Sequence, residues 1–154
     1  MADDVLEIFK TAGAMREGQF LLASGLHSPV YWEKFRILQC PDLTEKLCRL
    51  IAQHFKGQQI DVVAGPTTGG TILAFETARQ LGVKSIFAEK EGGTRVFRRD
   101  FGVTPGARIL IVDDIMTEGG SLRETINAVD RLGGIAIGIG VLVDRSERNL
   151  EFNL

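Results

Sequence analysis

From residue 60 onward, the chain alternates short apolar runs with segments of helical spacing, joined by loops that contain glycine. The apolar runs lie at 60–64, 83–88, 108–113 and 135–143. Helical spacing covers 72–81 and 121–132, and a glycine follows each segment as a stop signal. Parallel strands need such helical crossovers. The sequence therefore predicts an α/β fold in which a central parallel sheet is flanked by helices.

The first part of the chain follows a different pattern. Helical spacing over 3–14 precedes two short apolar or aromatic runs at 19–23 and 30–35, which predict a hairpin-like cover. A second helix is expected over 41–55, because Pro41 stands where a first helical turn tolerates proline. This region is therefore expected to form a small structure of its own kind beside the α/β pattern.

The length of the chain bounds the number of domains. A chain of 154 residues suits a single domain over 1–154 and can bury a core without disulfides or a metal. Within it we expect a small N-terminal hood at 1–40 and an α/β core at 41–154. The stretch 89–106 is polar and too long for a minimal turn. It is expected to be a flexible β flap or a mobile functional loop.

The charge balance disfavours several classes of function. Eighteen Lys and Arg stand against 20 Asp and Glu, a net charge of −2, and no basic block is present that would neutralise nucleic-acid or membrane phosphates. Cys40 and Cys48 lack the spacing of zinc ligands and are interpreted as reduced thiols. The N-terminus has no signal-peptide pattern, so we expect a soluble, cytoplasmic protein with no nucleic-acid or membrane partner.

The segment ILIVDDIMTEGGS, residues 109–121, carries the strongest site pattern. An apolar strand ends in Asp113 and Asp114, and the loop 117–121 then opens a helix. Ligands collect at the carboxyl ends of parallel strands, and helix N-termini bind phosphate through free N–H groups. Carboxylates accept hydrogen bonds from sugar hydroxyls, so the segment predicts a sugar-phosphate site in which one of the two acids faces the ligand. The alternative is a solvent-exposed acid pair with Thr117 as a helix cap.

A second loop of the same type lies in VVAGPTTGGT, residues 62–71. It again runs from a strand through glycines into a helix, and Thr67 and Thr68 add hydroxyl groups to the backbone N–H donors. Such a loop can bind a second anion without any lysine. The alternative is an ordinary turn between a strand and a helix.

Basic residues concentrate in the stretch 89–99 around two glycines. They are Lys90, Arg95, Arg98 and Arg99. Cations on a glycine-hinged loop can close over a leaving anion and exclude water from the reaction. The alternative is a solvated hairpin.

These motifs carry a resemblance to a known family over about residues 13–146. VDDIMTEGGS resembles the signature for phosphoribosyl diphosphate (PRPP) in type I phosphoribosyltransferases. The run GQFLLASGLHSPVYW, residues 18–32, is similar to the N-terminal signature of orotate phosphoribosyltransferases, and Asp144-Arg145 matches the family's strand-end pair. The resemblance implies the type I phosphoribosyltransferase fold.

The resemblance also implies an activity. The family transfers the 5-phosphoribosyl group from PRPP to orotate, giving orotidine 5′-monophosphate and diphosphate in pyrimidine biosynthesis. It implies Mg²⁺, which binds phosphate oxygens and needs few protein ligands, so no direct ligand is assigned beyond Asp113 or Asp114. It also implies a homodimer in which the flap of each subunit reaches the site of the other.

The site residues follow from the same resemblance. The 5′-phosphate is assigned to Thr117, Glu118, Gly119, Gly120 and Ser121. The diphosphate is assigned to Thr67, Thr68, Gly69 and Gly70. Catalytic roles go to Lys90 and Arg95 at the leaving group and to Asp113 and Asp114 at the ribose or its metal shell. Orotate is assigned to Ser24, Gly25, Tyr31, Trp32, Thr117 and Arg145, because aromatic faces suit a pyrimidine and an Arg fork suits its carboxylate.

The sequence departs from the usual family pattern at three positions. Ala23 stands where many members have Lys, Glu89 replaces an Arg of the flap, and the flap Lys falls near Thr94. Arg95, one residue further on, is a substitute for that lysine. These departures leave two alternatives open, a phosphoribosyltransferase for another base and a non-catalytic paralogue that senses PRPP.

Overall fold

The computed structural model describes residues 2–21 and 25–154, and it divides into two units, Met1–Leu47 and Cys48–Leu154. The predicted strand over 19–23 lies partly outside the described residues. The first unit contains the helix and hairpin that the sequence predicts, and the second contains the alternating strands and helices.

In the first unit, helix α1 (Ala2–Thr11) precedes an antiparallel pair of strands, β1 (Met15–Leu21) and β2 (His27–Trp32). Phe9 is fully buried, and its ring meets the Trp32 ring edge-on with the centroids 5.3 Å apart. Such aromatic pairs favour edge-to-face geometry. The predicted hairpin is therefore confirmed, and this aromatic contact joins it to α1.

A short helix, α2 (Phe35–Leu38), stands where the sequence predicts the end of a strand at 30–35. The prediction was wrong at this end because the Glu33 carboxylate accepts a hydrogen bond from the Phe35 N–H at 3.2 Å, which favours a helical turn. Helix α3 (Pro41–His54) follows and confirms the predicted helix. With 14 residues it is the longest described helix, and no helix in the described ranges has the length and apolarity to cross a membrane.

Five strands form the sheet of the second unit. They are β3 (Val62–Pro66), β4 (Lys84–Glu91), β5 (Thr94–Phe97), β6 (Arg108–Met116) and β7 (Ile135–Asp144). The order is β5-β4-β3-β6-β7, with β5 antiparallel at one edge and the other strands parallel. Helices α4 (Gly69–Leu81) and α5 (Gly120–Leu132) supply crossovers. The predicted α/β fold with a central, mostly parallel sheet is confirmed.

Strand β6 is longer than the apolar run that predicts it. The run stops at Asp113, whereas the pairing of β6 with β7 continues to the pair Met116 and Asp144. The acid pair therefore lies within a strand and not after it. The apolar run ends before the hydrogen-bonded ladder does, because β7 also supplies pairing partners for Ile115 and Met116.

The core of the second unit lies where α5 packs against the sheet. Its buried residues are Val62, Ala64, Ile86, Ile109, Ile111, Leu122, Ile126, Val129 and Ala136. The glycines of β7 make room for another apolar contact. A Cβ at Gly138 would lie 2.5 Å from the Phe55 ring, and one at Gly140 would lie 2.9 Å from Ile51. These glycines therefore set how closely the end of α3 approaches the sheet.

Cys40 and Cys48 are both free thiols in the structure. Cys48 is fully buried on α3, and its Sγ donates to the Leu73 carbonyl at 3.7 Å. Burial raises the pKa of Cys48 to about 11. Cys40 is partly exposed, and its Sγ donates to the Arg36 carbonyl at 3.6 Å.

Candidate active site

Two glycine loops lie side by side at the carboxyl-terminal ends of neighbouring strands of the sheet. One loop follows β3 and the other follows β6, and these strands are parallel neighbours paired from Val62 and Ile109 to Ala64 and Ile111. The carboxyl ends of parallel neighbours meet at the same edge, where ligands of such sheets bind. The structure thus brings together the two loops for which the sequence separately predicts anion binding.

The loop after β6 leads directly into α5. Gly119 is the N-cap residue of α5 and has a φ of +76°, a left-handed conformation that glycine adopts without strain. Thr117, Glu118 and Gly120 are exposed, whereas Gly119 is buried. The alternative in which Thr117 caps the helix is therefore wrong. A glycine cap supplies no side-chain acceptor, so it leaves the first N–H groups of α5 to an incoming anion.

The acid pair is buried within β6. Asp113 is 8% exposed and Asp114 is 3% exposed, so the alternative of a solvent-exposed strand end is wrong. The Asp113 carboxylate accepts the Asp114 N–H at 2.8 Å, and the Asp114 carboxylate accepts the Ile115 N–H at 2.6 Å. Burial of two carboxylates is costly unless hydrogen bonds or cations compensate them. Their retention at this edge marks a site prepared for a polar ligand or a cation.

Asp113 faces the other loop. A Cβ on Gly70 would lie 3.2 Å from Asp113 Oδ1 and 3.1 Å from the Val112 carbonyl. Neighbouring strand residues point to opposite faces, so Asp114 projects away from Gly70.

The loop after β3 is tightly packed. A Cβ on Gly65 would lie 2.0 Å from the Gly70 carbonyl oxygen, so only glycine fits there. The Thr67–Thr68 peptide bond is cis, and the Thr67 N–H donates to the Ala88 carbonyl at 2.9 Å. Gly69 and Gly70 are buried at the start of α4, and Thr68 is exposed at its N-cap. The loop therefore exposes Thr68 to solvent just before the buried start of α4.

The basic stretch begins as a hairpin. Lys90 of β4 and Arg95 of β5 are direct cross-strand partners, and Gly92 and Gly93, both with positive φ, form the turn. Arg95 is only 9% exposed, and its Nη1 lies 3.2 Å from the Ala88 carbonyl and 3.4 Å from Thr67 Oγ1. One predicted catalytic cation thus contacts the loop after β3, with the other directly beside it.

The remaining basic residues of the stretch pair with acids of the same hairpin. Arg99 donates two hydrogen bonds to Glu89, at 2.8 and 3.0 Å, and Arg98 forms an ion pair with Glu91. The hydrogen bonds from Arg99 lower the pKa of Glu89. The acid that departs from the family pattern at residue 89 is therefore neutralised within the hairpin. Beyond it, the Phe101 ring meets Phe87 at 5.1 Å, so this end of the 89–106 stretch packs on the sheet.

The residues assigned to orotate are divided between the two units. Ser24 lies outside the described residues. In the first unit, Gly25 has a φ of +83°, the Tyr31 ring lies 5.6 Å from Phe20, and Trp32 contacts α1. In the second unit, the Arg145 N–H donates to the Met116 carbonyl at 2.8 Å, which places Arg145 beside Thr117.

Two features of the site have no counterpart in the sequence patterns. Glu124 of α5 contacts both Lys90 and Arg95. The segment 150–152 packs against Gly119 of the loop after β6, because a Cβ on Gly119 would lie 3.0 Å from Leu150 and from Phe152. Both contacts join residues about 30 positions apart, so no local periodicity or motif indicates them.

Comparison with known proteins assigns the class. Residues 36–152 match the family model of the Phosphoribosyl transferase domain. The chain is similar to the orotate phosphoribosyltransferase of Pelotomaculum thermopropionicum, at 49% identity over 144 residues that cover 94% of this chain and 76% of the relative. The corresponding protein of Caldanaerobacter subterraneus is 46% identical over 152 residues, covering 99% and 80%.

A solved structure gives the same result. The crystal structure of orotate phosphoribosyltransferase from Aeropyrum pernix superposes with a TM-score of 0.78 at 28% identity, covering 92% of this chain and 81% of that one. The two loops and the acid pair lie on the fold of a phosphoribosyltransferase. The chain belongs to the orotate phosphoribosyltransferase family. The resemblance inferred from the sequence motifs, and the expectation of a transferase, are thereby confirmed.

Proposed function

We propose that this chain transfers the 5-phosphoribosyl group from PRPP to orotate, giving orotidine 5′-monophosphate and diphosphate. The observation that carries the proposal is the pair of glycine loops on neighbouring strands, with the Asp113 carboxylate beside Gly70. PRPP bears a phosphate at one end and a diphosphate at the other, so two adjacent anion loops match its two charged groups. We assign orotate as the base because the relatives named above are orotate phosphoribosyltransferases.

The proposed roles follow from the position of each group. The loop 117–121 and the start of α5 bind the 5′-phosphate, and the loop 67–70 binds the diphosphate. Arg95 is at hydrogen-bonding range of Thr67, so it can neutralise charge on the departing diphosphate. A transition state with oxocarbenium character gains from fixed charges that already surround the leaving group.

Asp113 and Asp114 are proposed to bind the ribose hydroxyls or the shell of a magnesium ion. Mg²⁺ in phosphoryl sites uses one or two carboxylates together with phosphate oxygens and water. Two buried carboxylates, of which Asp113 lies beside Gly70 of the loop after β3, fit this donor set. When bound, the ion would neutralise diphosphate charge. No group of three or more metal-ligating side chains occurs within residues 2–21 and 25–154.

Recognition of orotate is proposed for the aromatic faces of Tyr31 and Trp32, for Ser24 and Gly25, and for Thr117 and the Arg145 fork. A guanidinium pairs with a carboxylate through two parallel hydrogen bonds, and orotate differs from other pyrimidine bases by its carboxylate. Arg145→Lys keeps the charge but loses the fork. We expect it to raise the KM for orotate while leaving the KM for PRPP unchanged.

The activity is tested by following the ultraviolet absorbance of orotate with PRPP and Mg²⁺ present, and then with each omitted in turn. Turnover that requires all three supports the proposal. No turnover of orotate, together with turnover of another base in a panel, would reject orotate as the substrate. Binding of PRPP without turnover of any base would indicate a PRPP sensor.

The acid pair gives a sharper test. The double variant Asp113→Asn and Asp114→Asn keeps the shape of both side chains and removes both charges. We expect turnover to fall by about 10²-fold or more, because charge stabilisation at the reacting sugar is lost. Asp130→Asn, at an exposed position of α5, is the matched control and should retain activity. Full activity in the folded double variant would contradict the role of the acids.

We further propose a homodimer in the cytoplasm, with the turn of the β4–β5 hairpin reaching the partner's site. Arg95 contacts Thr67 of its own chain and Lys90 lies beside Arg95, so the contribution across subunits would come from the hairpin turn at Gly92 and Gly93. The free thiols suit a reducing compartment. Light scattering at micromolar concentration should give a dimer. A fully active monomer would reject the shared site.

A further inference from the structure

A single carboxylate on α5 contacts both cations of the hairpin. Glu124 Oε2 lies 3.3 Å from Lys90 Nζ and 3.8 Å from Arg95 Nε, and Oε1 lies 3.4 Å from Lys90 Nζ. Glu124 is four residues, or one helical turn, after Gly120 of the 5′-phosphate loop. The helix that starts at the loop after β6 therefore contacts the cations of the hairpin through the Glu124 carboxylate.

These contacts are longer than those of a strong ion pair. Charge-assisted N–H to carboxylate bonds are usually about 2.7–2.9 Å. Arg95 Nε is buried and makes no hydrogen bond with any described residue. Glu124 thus compensates the charge of both cations while leaving their hydrogen-bonding capacity incompletely used. An anion placed nearby could accept the hydrogen bonds from Lys90 and Arg95 that Glu124 does not accept.

An anion could be placed on the side of the Arg95 guanidinium that faces the loop after β3. Arg95 Nη1 lies 3.4 Å from Thr67 Oγ1, in the loop after β3. Arg95 has an 11% exposed side chain and is held in place, whereas the Lys90 side chain is 57% exposed and can move. Lys90 can therefore leave Glu124 for an anion on that loop, and Arg95 can bind the anion from where it stands.

We propose that Glu124 is a positioning residue that holds Lys90 and Arg95 in the free enzyme and is exchanged for the diphosphate group when that group binds. This inference rests on the proposed function of the β3 loop as the diphosphate site. The carboxylate keeps the two cations together and competes with the diphosphate for them. The same competition favours release of the diphosphate after transfer.

The test is the affinity of the purified protein for inorganic diphosphate with Mg²⁺, measured by titration calorimetry. Glu124→Gln removes the competing charge at nearly constant shape. We expect it to tighten diphosphate binding by about three- to fivefold, the range of one partly exposed ion pair. Glu124→Asp keeps the charge and should bind as the wild type does. Unchanged or weaker binding by a folded Glu124→Gln variant overturns the proposal.

Two further variants separate exchange from a general effect of charge. Glu91→Gln makes the same change of charge on the hairpin, where the partner is Arg98, and should leave diphosphate affinity unchanged. In a Lys90→Ala background, Glu124→Gln should change the affinity by less than about twofold, because the contested cation is gone. Equal tightening by Glu91→Gln, or undiminished tightening in the Lys90→Ala background, overturns the proposal.

Orotate turnover is measured on the same preparations. A wild type that turns over orotate but binds no diphosphate overturns the role of Glu124 and leaves the proposed function standing. A wild type that binds diphosphate with the expected dependence on Glu124, but turns over no orotate, overturns only the assignment of the base. The two failures are therefore distinguishable.

Discussion

The two glycine loops of the candidate site share one plan, a strand followed by a glycine loop and a helix, but they are held by different means. In the loop after β3, the Gly70 carbonyl fills the space that a Cβ on Gly65 would occupy, 2.0 Å from it. In the loop after β6, a Cβ on Gly119 would lie 3.0 Å from the side chains of Leu150 and Phe152, and a Cβ on Gly120 would meet nothing within 4 Å. Backbone confines the first loop, and side chains confine the second.

This difference indicates which loop can adapt. Backbone atoms cannot move aside without breaking the strand and helix that hold them, whereas side chains can adopt other rotamers. The loop after β3 is therefore rigid, as a preformed site for the proposed diphosphate would be. The loop after β6 keeps its shape only while the segment 150–152 remains in place, where Arg123 donates to the Glu151 carbonyl at 2.8 Å and stands over the Phe152 ring.

The largest effect is expected from Gly65→Ala. The added methyl group meets the Gly70 carbonyl, so either β3 or the start of α4 must shift. We expect a loss of about 3 kcal/mol or more in the free energy of unfolding, measured in urea, as for severe overpacking. A loss below about 1 kcal/mol would show that backbone packing does not confine this loop.

A smaller effect is expected from Gly119→Ala. A φ of +76° costs an alanine about 1–2 kcal/mol, and the methyl group also approaches two side chains that can yield. The same urea titration measures the loss. If Gly119→Ala were as damaging as Gly65→Ala, the contrast between the two loops would not hold.

Coupling between Gly119 and Phe152 sharpens the comparison. Phe152→Ala opens space beside residue 119, so the double variant should lose about 0.5–1 kcal/mol less than the sum of the two single variants. The left-handed strain stays in both Gly119→Ala variants, so relief reports on side-chain crowding alone. Strictly additive losses would mean that Phe152 does not confine the loop.

The smallest effect is expected from Gly120→Ala, which acts as the control for both loops. Its Cβ enters open space at the start of α5, where alanine is the better helix former. We expect unchanged stability or a gain of up to about 1 kcal/mol by urea titration. A clear loss of stability would show that glycine is required in this loop for a reason other than space.

Much of this site could be predicted because the residues of each loop are consecutive in the sequence. The strand, the acid pair and the glycines of 109–121 stand together, so strand-end chemistry and helix N-terminal chemistry identify them. The cations Lys90 and Arg95 are also close in sequence, because Lys90 lies two residues before Gly92 and Arg95 lies two residues after Gly93. The end of the predicted strand at 30–35 failed because one side chain, Glu33, starts a helical turn there.

The contacts that organise the site could not be predicted in the same way. Glu124 resembles any other polar residue on an amphipathic helix until the sheet brings β4 and β5 beside α5. Phe152 lies in a segment without regular secondary structure, and its relation to Gly119 exists only after β6 and β7 have paired. Such contacts depend on tertiary packing, and a single sequence carries no periodic signal for them.

The difference in burial between Cys40 and Cys48 allows opening of the fold to be followed by thiol modification. The thiolate is the reactive form of cysteine, and Cys48 is both buried and held protonated by a pKa of about 11. A thiol reagent at neutral pH should therefore modify Cys40 in the native protein and reach Cys48 only when the second unit opens. The rate of the second modification counts opening events directly, without an added dye or label.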